Sequence, residues 1–158
     1  MRRMGCAATA AAMVAVVMGS VRVMGADGQD DERGRWEPCS EATVRGDYGS
    51  QIQGTRPAPG GLTEAVIGVV FRTYDGLGNF SQVANVKGSI TGTVPDSEGF
   101  GTYEVHPDCT GIIRFQPGPG ILIEERLVIV DNGREIRTAV MVPTAVVITS
   151  VQQRIHRR

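Results

Sequence analysis

The stretch "TEAVIGVVFRTYDGLGNF", Thr63 to Phe80, decides the fold class. Its first residues suit a helix by propensity alone. Against that, Val66, Ile67, Val69 and Val70 are β-branched, and "DGLGN" (Asp75 to Asn79) has the composition of a hairpin turn. A strand ending in a hairpin satisfies both observations, and a helix satisfies neither. The stretch therefore predicts one strand over 63–74 and a second leaving Phe80.

The same grammar extends in both directions. Upstream, "ATVRGDYGSQIQG" (42–54) alternates, with Val44, Tyr48 and Ile52 on one parity. The segment "TRPAPGG" (55–61) holds two prolines and two glycines, which predicts a loop. Downstream, the returning strand runs from Phe80 to Val94, and "PDSEG" (95–99) reads as a turn. Further strands follow in "FGTYEVH" (100–106), "IIRFQ" (112–116), "ILIEERLVIV" (121–130), "REIRTAVMV" (134–142) and "AVVITSVQQRI" (145–155). No segment after residue 40 sustains a 3.6-residue apolar period. The expectation is an all-β chain forming a single eight-stranded antiparallel up-and-down barrel over 39–155, with a basic tail end at 156–158. Closure would remove exposed strand edges. A two-sheet sandwich is the second architecture that fits.

The first 26 residues read differently. Arg2 and Arg3 precede an uncharged run from Met4 to Val21, and small residues at Gly25 and Ala26 lead into the polar "DGQDDERGRWEP" (27–38). That order is the grammar of a signal peptide, 1–26, followed by a polar disordered leader, 27–38. The alternative is an uncleaved anchor, weakly apolar because of its Ala and Gly content. Cleavage would leave 13 basic against 17 acidic residues, a net charge of −4, and no membrane span. That charge argues against a nucleic-acid partner. It would also leave two cysteines, Cys39 and Cys109, which an oxidising compartment would pair as one disulfide. The expected location is secreted or periplasmic.

Side-chain parity suggests what lines the barrel. In 121–130 the odd set, Ile121, Ile123, Glu125, Leu127 and Ile129, is the more apolar and is pointed inward. In 63–74 the inward set is taken as Ala65, Ile67, Val69, Phe71 and Thr73, leaving Arg72 outside. Phe80, Gln82, Ala84, Val86 and Ile90 share a face, and Tyr103 with Val105 opposes Glu104 and His106. The polar members of this interior are Tyr48, Gln82, Tyr103 and Glu125, the candidate ligand-binding residues. A carboxylate on an apolar stripe could act as an acid or base if desolvated. The plainer readings are that a bulge flips Glu125 outward or that it sits in water at a rim. For the tyrosines, the plainer reading is packing with a satisfied hydroxyl.

Other chemistry is not signalled. His106 and His156 have no metal-ligand spacing, so no metal is expected. Ser50 and Ser89 lack a G-x-S-x-G elbow. "GLGNFS" (76–81) lies between strands and is not a dinucleotide loop, so no cofactor is expected.

Three motifs, "CSEATVRGDYG", "DGLGNF" and "GTYEVHPDCTG", make Cys39 to Val130 resemble a group of small exported bacterial proteins. These belong to the allene-oxide-cyclase-like class, whose barrels are lipocalin-like in shape. The resemblance implies a barrel. The plant cyclases of the wider class rearrange a fatty-acid epoxide inside theirs, but their catalytic residues do not align here. Three functions follow as expectations. The first is a non-enzymatic exported barrel that binds a small apolar or amphipathic ligand, or acts as an envelope or extracellular interaction module. The second is an isomerase or cyclase acting on a lipid-like or polyketide-like substrate. The third is a structural secreted protein with a filled barrel.

Overall fold

The computed structural model describes residues 37–155. The signal segment 1–26, nearly all of the leader and the tail 156–158, with His156, lie outside the described residues. Eight strands, β1 (Gly46–Ala58), β2 (Leu62–Tyr74), β3 (Asn79–Gly88), β4 (Gly92–Val105), β5 (Thr110–Gly118), β6 (Ile121–Val130), β7 (Glu135–Val142) and β8 (Val147–Arg154), follow one another in space as in sequence. Each pairs antiparallel with the next, and β8 pairs back onto β1, closing the barrel. The fold is the expected eight-stranded up-and-down barrel, and the sandwich is excluded.

Two boundaries differ from the sequence reading, each for a local reason. β1 continues through Arg56 and Pro57 to Ala58, where a loop was expected. Its pairing with β8 stops at Thr55, so Pro57 has β2 on one side only. A proline without an N–H is tolerated where no second neighbour asks for one. The β3–β4 hairpin turns at residues 89–91, and "PDSEG" lies inside β4. There the register slips between Ala84 and Val86, Asp96 takes a positive φ of 48°, and the Asn85 side chain accepts its backbone N–H at 3.1 Å. The turn composition was absorbed by a bulge. Ile90, expected on the inward face, therefore stands in the turn and is exposed.

The two ends of the barrel are built differently. At one end lie the β2–β3, β4–β5 and β6–β7 turns. Here Val44, on a short 3-10 turn (Glu41–Val44), is fully buried with Tyr48, Tyr74, Phe80, Tyr103, Ile113, Leu127 and Ile136. Gly101 makes room for this packing: a Cβ there would sit 2.6 Å from the Phe80 ring. Cys39 and Cys109 form a disulfide across this end, with Cα atoms 5.0 Å apart. Cys109 has a positive φ of 64°, and its backbone N–H bonds to the His106 carbonyl in the β4–β5 turn. At the other end the inward-facing Ile52, Phe115 and Ile148 are only half-buried. This less covered side is the open end of the barrel.

β2 corrects the parity expected for it. Glu64, Val66, Val70, Arg72 and Tyr74 face inward and are buried. Ala65, Ile67, Val69 and Phe71 face outward, and Ile67 and Val69 are 61% and 60% exposed. Thr73, on the same outward parity, is half-buried and donates to Asp47 Oδ1 at 2.7 Å. Both faces of this strand are apolar in sequence, so hydrophobicity alone does not choose between them. The interior pairing of Arg72 does.

Candidate functional site

Arg72 lies across the middle of the lumen, 4% exposed. Its Nε and Nη2 donate to Gln82 Oε1 on β3 at 2.9 and 2.7 Å. Its Nη1 donates to the Tyr74 hydroxyl at 3.2 Å and to Glu125 Oε2 on β6 at 3.4 Å. The guanidinium also stacks on the Phe80 ring, 4.5 Å from its centroid, with Phe115 at 5.6 Å. The network continues across the barrel. Tyr74 Oη donates to Gln152 Oε1 at 3.0 Å, Gln152 Nε2 donates to Ser150 Oγ at 3.4 Å, and Ser150 bonds Thr138 at 2.8 Å. A layer of polar groups thus divides the packed end from the open half.

The charge states follow from this packing. Burial works against the charge of Arg72, but Tyr74 and Glu125 outweigh it and its pKa lies above the ordinary arginine value. Burial pushes the Tyr74 hydroxyl up, against the opposing pull of Arg72. The layer therefore holds a charged guanidinium, a neutral phenol and two amides, with Glu125 opposite.

Glu125 is the least satisfied member. It is 7% exposed, and its one hydrogen bond is the long contact from Arg72. Among the described residues no donor reaches its Oε1. Among the described residues no deeply buried side-chain polar atom lacks a partner, and the Glu125 side chain keeps 9% of its surface exposed. Ile123 follows Glu125 on the open side of β6, with Val70 and Ala84 on the facing wall. The bulge between Glu124 and Glu125 shifts the β6–β7 pairing but leaves Glu125 facing inward.

The remaining sequence candidates separate. Gln82 joins Glu125 through Arg72. The two tyrosines belong to the closed end. Tyr48 donates to the Gly133 carbonyl and accepts from Arg154 Nη2 at 2.8 Å. Tyr103 donates to the Glu41 carbonyl at 3.2 Å and accepts from the Gly76 N–H at 2.9 Å. Their hydroxyls are tied to turns and face no open space, and burial raises the pKa of both. Arg72, Tyr74 and Gln152 were missed. A usable signal existed for Arg72, because a carboxylate placed inside an apolar barrel calls for a cation on the facing wall.

A second buried carboxylate, Glu64, sits at the open rim, 1% exposed. It accepts from Arg56 Nε at 2.6 Å, from the backbone N–H groups of Ile90 and Thr91 at 3.0 and 2.9 Å, and from Thr91 Oγ1 at 2.8 Å. Gly88 is required beneath it, since a Cβ there would lie 2.2 Å from Glu64 Oε2. The hydrogen bond from Thr91 N–H, the Arg56 guanidinium and the remaining donors hold its pKa down to about 2. This cluster ties the β1–β2 hairpin to the β3–β4 turn and frames the mouth.

The outer wall carries a groove of about 510 Å³ between β8, β1, β2 and β3, lined in part by Val69, Phe71, Val83 and Val151. It touches none of Tyr48, Gln82, Tyr103 or Glu125. Among the described residues no group of three or more His, Cys, Asp or Glu side chains could hold a metal. No family model matches this chain, nor does any curated protein or solved structure. The class established here is therefore the eight-stranded antiparallel barrel and nothing narrower.

Proposed function

We propose that this protein is an exported binding barrel that takes a small apolar or amphipathic molecule through its open end. The observation that carries the reading is the position of Glu125. It faces inward beside apolar side chains, and its one hydrogen bond is the 3.4 Å contact from Arg72. Apolar walls with a few placed polar groups are the usual form of a small-molecule site. The plant cyclases of the wider class that the cysteine and turn motifs resemble rearrange a fatty-acid epoxide inside their barrel, which supports the same reading. The disulfide supports an oxidising destination.

The test is uptake of a neutral fluorescent apolar probe, N-phenyl-1-naphthylamine, together with native mass spectrometry of protein purified from its producing cells. The expected result is one probe per chain, lost when Ala84→Phe fills the lumen wall. A folded wild-type protein that takes up no probe and carries no co-purified molecule overturns the reading in favour of a filled structural barrel.

A further inference from the structure

We infer that the open end of the barrel is a membrane-docking surface, which seats on a phospholipid bilayer by apolar contact. The inference goes beyond ligand uptake and does not require it. The up-and-down strand order places the β1–β2, β3–β4, β5–β6 and β7–β8 hairpins at this end. Every one of them carries large exposed apolar side chains. Leu62 stands on the first, Ile90 on the second, Ile121 and Leu122 on the third, and Met141 and Val147 on the fourth, all between 46% and 63% exposed. Exposed apolar residues scattered singly are ordinary, but a set on all four tips of one end marks an interaction site.

Charge separates the two ends. The stretches 57–63, 88–95, 115–123 and 138–150, which build the open end, contain no Asp, Glu, Lys, Arg or His. The turns of the closed end hold Asp75, His106, Asp108, Asp131 and Arg134. A protein interface keeps a polar rim around its apolar centre. Four uncharged tips fit an apolar medium better than a matched protein partner. Their backbone is suited to that medium, where an N–H needs a partner within the protein. Glu64 Oε2 accepts the N–H groups of Ile90 and Thr91, the Ala65 carbonyl accepts that of Ser89 at 2.9 Å, and the Pro143 carbonyl accepts that of Val146 at 3.0 Å. Pro57, Pro59, Pro95, Pro117, Pro119 and Pro143 lie in the same stretches and have no N–H to satisfy. The charges just behind the tips come in both signs: Arg56 with Glu64, Arg126 with Glu124, and Lys87 and Asp96 flanking one hairpin. Apolar insertion, and not attraction to anionic lipid, therefore drives the contact.

Co-sedimentation with phosphatidylcholine vesicles tests this on protein purified from its producing cells. The wild type is expected to partition onto the vesicles equally at low and high salt. The triple variant Leu62→Asp, Leu122→Asp, Val147→Asp is expected to lower the partition coefficient by about tenfold or more. Leu77→Asp, at an exposed tip of the closed end, is expected to leave it unchanged. Hydrogen exchange of the wild type on vesicles reads the same contact without a variant, and should slow at 88–95 and 138–150 but not at 104–111. Slowing only at 104–111 overturns the inference, as does a folded wild type that does not partition. A folded triple variant that partitions like the wild type also overturns it, as does binding confined to anionic vesicles and lost in high salt. A wild type that pairs in sedimentation velocity and leaves the vesicles unbound assigns the rim to a second copy of the chain. Vesicle binding without uptake of the fluorescent probe removes only the binding reading, and uptake without vesicle binding removes only the docking inference.

Discussion

Glu64 and Glu125 are both carboxylates on the inner wall of the same barrel, and their surroundings differ in kind. Glu64 has four donors from Arg56, Ile90 and Thr91, on both neighbouring hairpins, and no access to solvent. Glu125 has one long contact from a cation that mainly serves Gln82. A carboxylate saturated by backbone and side-chain donors is a structural tie. One with a single 3.4 Å contact is held far less firmly. Burial alone does not distinguish the two; the inventory of partners does.

The comparison can be broken first at Arg72. Arg72→Leu leaves Glu125 without its cation, and the expected loss of stability is about 3–5 kcal/mol by urea denaturation. Adding Glu125→Leu should recover most of that loss, because an apolar pair replaces a buried charge pair at little cost. A double variant as unstable as Arg72→Leu alone would show that Arg72 acts through packing and not through charge. Next comes the closed end, where Cys39→Ser with Cys109→Ser should cost about 4 kcal/mol, the chain-entropy value for a loop of this length. That loss should leave probe uptake at the open end unchanged in the protein that remains folded.

The acid limb of stability sharpens the contrast. The folded-state pKa of Glu64 lies near 2, below its ordinary value of 4.5. Its stabilising contribution is therefore complete above about pH 4.5 and is lost as pH falls toward 2. Glu64→Gln should lower the thermal midpoint at pH 7 and flatten the decline between those two pH values. An unchanged acid limb in Glu64→Gln would remove Glu64 from the account of the rim. The smallest effect expected is Tyr103→Phe, about 1 kcal/mol, because its hydroxyl serves one carbonyl and one turn N–H. Probe affinity should be untouched by it.

The strand count was legible because turn residues punctuate the chain at seven places, and each separates segments rich in β-branched residues. The inner face of β6 was legible for the same reason as any half-buried strand: its odd residues are the more apolar. β2 was not legible by that rule, since Ile67, Val69 and Phe71 match Val66 and Val70 in apolarity. The reading placed Glu125 inside and Arg72 outside, and those two placements conflict. A charge taken into an apolar interior needs a partner there, and applying that condition across strands would have turned β2 to its true register. Tyr48 and Tyr103 were rightly placed inward, but the sequence does not show that turns consume their hydroxyls. Glu64 gave no signal, because its donors come from a hairpin turn that the sequence reading had placed six residues downstream.

Pro57 has a consequence beyond its own strand. Past Thr55, β1 has lost β8 and offers a short open flank, the one kind of surface that a closed barrel otherwise abolishes. A foreign strand could add itself there and continue the sheet into another molecule. Pro57 withholds an N–H at the middle of that flank, so strand addition finds a gap where its ladder would begin. The residue that made the segment look like a loop serves as a guard against runaway polymerisation at the rim.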